Sequence, residues 1–174
     1  MIRGELVDLR VLQAGDVEHD ERTANDPEHN GDFGTFALAA AGAVRRRFDA
    51  DGYLSDDHGR LVVVDKAGET VGGVSYVAVF HGPPPANRVY NIGIGIDPAH
   101  RRRGYGAAAQ ALLARYLLET YAVQRIEASV DVENIAEQRA LERAGFTREG
   151  VLRSAQWRAG AWHDVCIYSK LRGE

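Results

Sequence analysis

The run Arg101-Arg102-Arg103-Gly104-Tyr105-Gly106 sets three guanidinium groups and two glycines where an apolar strand passes into a long amphipathic helix. A helix start leaves four backbone amides unpaired, and the aligned peptide dipoles give that end a partial positive charge. Glycines at 104 and 106 let a ligand approach the backbone, and the arginines add charge-assisted donors. The chemistry on offer is the binding of a phosphate or pyrophosphate. The alternative is a solvated basic cap on a turn that the glycines merely shape. Metal chemistry has no comparable signal, because the histidines at 19, 29, 58, 81, 100 and 163 show no ligand-like spacing with one another, and no metal is expected.

The elements around the turn follow from periodicity. Tyr90, Ile92, Ile94 and Ile96 alternate with Val89, Asn91, Gly93 and Gly95, which is a strand with one core face. Asp97-Pro98 ends it, since proline has no amide hydrogen for a ladder. A helix beginning near Gly104 carries Tyr105, Ala108, Ala109, Leu112, Leu113, Tyr116 and Leu117 on one stripe. Before this unit, Leu6 to Leu12 reads as a strand, Asp16 as the cap of a polar helix closed by Asn25-Asp26-Pro27, 30–34 as a loop, and Phe36 to Phe48 as an alanine-rich helix. In that helix Arg45, Arg46 and Arg47 stand near the C-terminal end, where cations suit the dipole. Leu61 to Asp65 and Val71 to Phe80 form a hairpin, and His81-Gly82-Pro83-Pro84-Pro85 is a rigid loop into the central strand.

Beyond the long helix, Arg125 to Val132 alternates again, with Ile126, Ala128, Val130 and Val132 opposite Arg125, Glu127, Ser129 and Asp131. Asn134 caps a second helix that Gly145 ends, and Val151 to Trp157 with Val165 to Leu171 makes a closing hairpin. Strands before, between and after helices give an α+β or mixed α/β sheet, expected as one domain over 1–174. The central strand, the helix and the next strand form a crossover unit, so the two strands should be parallel. Gly93-x-Gly95 is no dinucleotide fingerprint, because it lies inside a strand and lacks the third glycine.

With 45% hydrophobic and 26% charged residues among 174, the chain is an ordinary globular one. Its net charge of -4 argues against nucleic acid and anionic membrane as partners, so the arginine clusters suit small anions. No signal-peptide core and no membrane-length apolar run stand in the sequence, which gives a cytoplasmic expectation. The single Cys166 excludes an internal disulfide and reads as a buried structural thiol.

These residues resemble the GNAT superfamily of acyl-CoA-dependent N-acyltransferases, and in particular its RimJ/RimL-like branch. Arg101-x-x-Gly104-x-Gly106 after Ile94-Gly95-Ile96-Asp97-Pro98 is similar to the family's pyrophosphate loop. Asn134-x-x-Glu137-x-Arg139-x-Leu141-Glu142-x-x-Gly145-Phe146 resembles its second signature. The early Leu9-Arg10 and Asn25-Asp26-Pro27, with the late Glu149-Gly150-Val151-Leu152-Arg153 and Trp162-His163-Asp164, extend the likeness over almost the whole chain. It implies a twisted, mostly antiparallel sheet with a splayed parallel pair and helices on both faces. It also implies acetyl-CoA, or another short acyl-CoA, as co-substrate. The amides of Arg101, Arg102, Arg103, Gly104, Tyr105, Gly106 and Ala107 would hold the pyrophosphate, and backbone groups of Ile94 and Ile96 the pantetheine arm. Asn134 would sit beside the arm or sulfur, besides being a cap. The implied partner is an amine acceptor, with a homodimer possible, and the alternative is a non-catalytic acyl-CoA-binding module.

The departures from the family pattern concern catalysis. Leu141 stands where many relatives have a tyrosine that protonates the thiolate, Glu137 where this branch often has serine, Arg102 where glycine is common, and Asn91 where some have glutamate. Arg102 costs little if its φ is negative, and Glu137 is expected to face solvent. Aminolysis needs a route for the amine's proton. The candidates are Glu127, Asp131, Glu137, Tyr90 and His163. Each has a plain alternative, with Glu127 and Asp131 as exposed strand positions, Tyr90 as core and His163 as a turn residue.

Overall fold

The computed structural model describes residues 1–34 and 36–174. Its strands are β1 (Ile2–Arg3), β2 (Val7–Val11), β3 (His58–Asp65), β4 (Thr70–Phe80), β5 (Arg88–Ile96), β6 (Arg125–Asp131), β7 (Thr147–Arg158) and β8 (Ala161–Leu171). The helices are α1 (Ala14–Thr23), α2 (Pro27–Gly34), α3 (Ala43–Asp51), α4 (Tyr105–Thr120) and α5 (Ile135–Arg143). The strands form one sheet in the order β1-β2-β3-β4-β5-β6-β8-β7. Hairpin-type neighbours pair antiparallel, whereas β5 and β6, joined through α4, pair parallel as a crossover requires.

Alternation along the strands decides which residues enter the core. Leu9, Leu61, Val63, Tyr76, Tyr90, Ile92, Ile126 and Ala128 turn to one face and pack with Leu112, Leu113 and Leu117 of α4 and Leu141 of α5. Val62 and Val64 turn to the other face, where with Leu12 they meet Phe48 of α3 and Tyr53. Helices therefore cover both faces, and the mixed α/β expectation holds. Cys166 is fully buried.

Several local expectations change. The two residues of β1 carry too little pattern to be read, yet pair Ile2 with Leu9 and Arg3 with Asp8. α1 begins at Ala14 with Gln13 as N-cap, so Asp16 is the third helical residue rather than the cap. Its carboxylate still closes the end, accepting the Gln13 N–H at 2.7 Å while paired with Arg10 at 2.6 and 2.8 Å. The stretch 30–34 belongs to α2, broken at Gly31 where φ is 68°.

The helix expected over 36–48 starts only at Ala43, so Arg45, Arg46 and Arg47 lie before its last turn and the dipole explanation of that triplet fails. Alanine propensity is overridden at its front because the residues there bury little; Leu38 is 87% exposed. The actual start is set from outside. Glu21 of α1 accepts the backbone N–H groups of Gly42 at 3.0 Å and Arg45 at 2.9 Å, capping α3 across 21 and 24 residues of sequence.

Candidate active site

Three register pairs join β5 to β6: Tyr90↔Ile126, Asn91↔Glu127 and Ile92↔Ala128. Both strands continue, to Ile96 and Asp131, but the ladder between them has ended. On its other side β5 stays in register with β4 as far as Gly72↔Ile96. Asp97 N–H donates to Val71 O at 3.0 Å, which makes Gly72↔Ile96 a non-hydrogen-bonded pair, and antiparallel alternation makes Val74↔Ile94 another. The N–H and C=O of Ile94 and the N–H of Ile96 therefore point away from β4, into the gap, while the Ile96 C=O, on the same side, is held by Arg101 Nε. An extended, amide-bearing chain laid there would meet the donors and acceptors of a strand edge.

At the mouth of the gap, Pro98–His100 makes one 3-10 turn and α4 begins after Gly104, whose φ of 83° only glycine adopts cheaply. Ala108 is the first residue of α4 whose amide reaches back to Gly104 O, at 3.1 Å, so the amides of Tyr105, Gly106 and Ala107 lie at the open helix end. A Cβ on Gly106 would meet Ile96 Cγ1 at 3.8 Å, an ordinary contact, so internal packing does not demand glycine at 106. Arg102 has φ of 64°, not the negative value that would make it cheap, and occupies a left-handed position suited to glycine. Arg101 is a brace: its Nε donates to Ile96 O and its Nη2 to His29 O, both at 2.9 Å. Arg103 Nη2 donates to Ala99 O at 3.3 Å.

On the α5 side, Asn134 Oδ1 accepts Glu137 N–H at 3.2 Å, so it is the N-cap. Glu137 is half-buried rather than fully solvated. Its carboxyl is pushed up to about 7, chiefly by burial, with a hydrogen bond to Gln110 pulling the other way. Gln110 is itself 1% exposed and donates to Gly106 O at 3.3 Å, so a polar chain runs from the turn through α4 to α5. Leu141, in the place of the family tyrosine, is fully buried.

The sheet face opposite α4 carries Asn91, Glu127 and Asp131. Asn91 Nδ2 donates to Ser129 Oγ at 3.2 Å, across the point where β5 and β6 part. Glu127 is buried rather than exposed, at 7%, and is bonded to Arg125 Nε at 2.5 Å and His81 Nε2 at 2.7 Å. His81 is the accessible member, with its side chain 57% exposed. Arg125 in turn grips Glu149, which holds the Glu149 carboxyl down to about 2. Asp131 is also buried, salt-bridged to Arg158 at 2.5 Å, with His163 Nδ1 at 3.4 Å from it. Tyr90 lies in the core, its hydroxyl donating to Asp56 O at 2.6 Å, and is not part of the site.

Three participants escape a sequence reading. Gln110 has a faint signal, a polar residue among apolar ones on a buried helix. His81 lies 46 residues from Glu127, and Arg158 lies 27 from Asp131, so only the fold joins them.

A sheet that opens between parallel strands, with a helix start at its mouth, is a place for an extended, amide-bearing ligand that carries an anion. Comparison with known proteins gives the family. Residues 7–147 match the acetyltransferase (GNAT) domain, and the chain belongs to that family. A probable N-acetyltransferase of Bacillus subtilis, YjcK, is 28% identical over 173 residues, 94% of this chain and 93% of its own. Among solved structures, the spermidine N-acetyltransferase of Vibrio cholerae in complex with CoA and spermine superposes with a TM-score of 0.79 at 20% identity, covering 95% of each chain. RimL, a ribosomal L7/L12 α-N-protein acetyltransferase in complex with coenzyme A, gives 0.76 at 19% identity over 98% of this chain and 97% of its own. The protein is an acetyl-CoA-dependent N-acyltransferase with RimJ/RimL-like relatives. No helix among the described residues is long and apolar enough to cross a membrane.

Proposed function

We propose that acetyl-CoA lies with its pyrophosphate on the amides of the 101–107 turn and its pantetheine arm along Ile94 and Ile96. The amine then reaches the thioester from the face that carries Asn91 and Ser129. The observation that carries this reading is the ladder that stops at Ile92↔Ala128 while the backbone groups of Ile94 and Ile96 still face the gap. Asn134 uses Oδ1 as a cap, so its Nδ2 end is the part that meets the arm.

Attack by a neutral amine breaks the carbon–sulfur bond and leaves a thiolate. Glu137 supplies the proton for that sulfur, because a carboxyl titrating near 7 is about half protonated at neutral pH, and Leu141 has none to give. A backbone amide at Ile96 stabilises the oxyanion. The amine's proton passes to His81, and Glu127 is a positioning residue, since its carboxylate already serves Arg125 and His81. The acceptor is a primary amine of a small molecule, peptide or protein N-terminus. The relatives that act on spermidine and on ribosomal protein make a polyamine and an N-terminal peptide the first two to try.

Calorimetric titration with acetyl-CoA tests the placement through Gly106→Asp, which sets a carboxylate at the helix start without the φ strain that any change at Gly104 brings. Affinity should fall by about two- to thirtyfold, the scale of one unfavourable charge at a helix end. Unchanged affinity in the folded variant would remove the pyrophosphate from this turn. Thiol release on either amine identifies the acceptor class.

A further inference from the structure

Although histidine spacing gives no metal signal in the sequence, His19 of α1, His29 of α2 and Asp97 at the end of β5 converge. Their ligand atoms all lie within 4.8 Å of one another. The two imidazole rings stand edge to face at 5.7 Å between centroids. His29 Nε2 is 3.9 Å from Asp97 Oδ1, too far for a hydrogen bond. That gap is only slightly wider than the ~3.4 Å edge of a tetrahedron built on metal–ligand bonds of about 2.0–2.1 Å. Nε2 of His19 is buried and, among the described residues, has no hydrogen-bond partner. A buried nitrogen without a partner is costly unless something outside the chain meets its lone pair.

The backbone around the cluster is fixed in advance. Asp97 donates its N–H to Val71 O at 3.0 Å and accepts His100 N–H at 2.8 Å, while its side chain makes no cap bond. Arg101 bonds to both His29 O and Ile96 O, so one guanidinium ties together the chain segments that bear two of the ligands. Two imidazoles and one carboxylate suit Zn²⁺ and similar late divalent ions, with a fourth position left for water.

We propose that His19, His29 and Asp97 form a divalent transition-metal site that fastens α1 and α2 to the turn at the mouth of the gap. The site shares no side chain with the acyl-transfer residues, although Asp97 directly follows Ile96, and it does not depend on their assignment. The second histidine–carboxylate group, Asp131, Glu133 and His163, is a weaker competitor because Arg158 already holds the Asp131 carboxylate at 2.5 Å.

Chelator-stripped protein titrated with ZnCl₂, with metal content read by mass spectrometry, should take up one ion per chain. With Co²⁺ it should show the visible absorption of a tetrahedral site. His19→Gln and Asp97→Asn should each weaken Zn²⁺ by more than about tenfold, the least that loss of even an outer-shell partner usually causes. His163→Asn should leave the ion in place. Zn²⁺ should raise the melting temperature of the wild type and not of the first two variants, a comparison that holds even if they differ in stability. Absence of binding, wild-type affinity in either ligand variant, or loss of the ion in His163→Asn would overturn the site.

Discussion

Glu137→Gln separates burial from catalysis. The carboxyl titrates near 4.5 when unfolded and is pushed up to about 7 in the folded chain, mainly by desolvation. Between those two values the native state holds a proton that the unfolded chain has lost, so unfolding free energy falls as pH rises through the window. At 1.36 kcal/mol per unit, the loss is at most about 3 kcal/mol and is complete above pH 7. Gln cannot titrate, so this loss is absent from the variant. Urea unfolding of both proteins at pH 5 and pH 8.5 gives the variant's stability relative to wild type, and groups common to both cancel. That relative stability should rise by about 1–3 kcal/mol from the lower to the higher pH. A rise under about 0.5 kcal/mol would mean that Glu137 is not desolvated, and the case for it as a proton donor would go with it. If the acid role is right, turnover should also drop about 100-fold with little change in affinity for acetyl-CoA.

The other perturbations read single features. Arg102→Gly should stabilise the chain by about 0.5–1 kcal/mol in urea unfolding, since relief at φ 64° exceeds the added entropy of an unfolded glycine; destabilisation would show that the guanidinium contributes to the fold. Asn134→Ala should cost about 1 kcal/mol as a lost cap, and any drop in turnover beyond the folded fraction marks a role beside the thioester. Arg158→Ala leaves Asp131 buried without its partner and should lower stability by about 3–5 kcal/mol at neutral pH; a loss under about 1 kcal/mol would show that solvent reaches the carboxylate.

The strand, turn and helix of residues 88–120 were legible because each depends on local causes. Alternation sets the strand, proline its end, glycine the left-handed start at 104, and helical spacing the stripe on α4. The parallel pairing of β5 with β6 was likewise implied by the crossover, and the cap at Asn134 by its side chain. Of the helices between β2 and β3, α1 was legible apart from its cap, whereas α2 and the start of α3 were not. α3 begins where Glu21 meets the amides of Gly42 and Arg45, and no local preference at 36–48 reports a carboxylate from another helix.

The same division runs through the site. Residue types and spacing pointed to anion binding at the 101–106 turn, but the sequence could not tell that Arg101 is bonded to Ile96 and His29. Period-two alternation put Glu127 and Asp131 on one side of a strand and suggested solvent; Arg125 with His81, and Arg158, cover them instead. Glu137 stands on an exposed-looking helical pattern, yet the fold leaves it half-buried and bonded to Gln110 of α4. Sequence by itself determined where α4 would leave its first amides open, because that follows from neighbours along the chain. Tertiary structure decided the charge and accessibility of the side chains around them, because desolvation and pairing depend on groups that the fold brings from elsewhere.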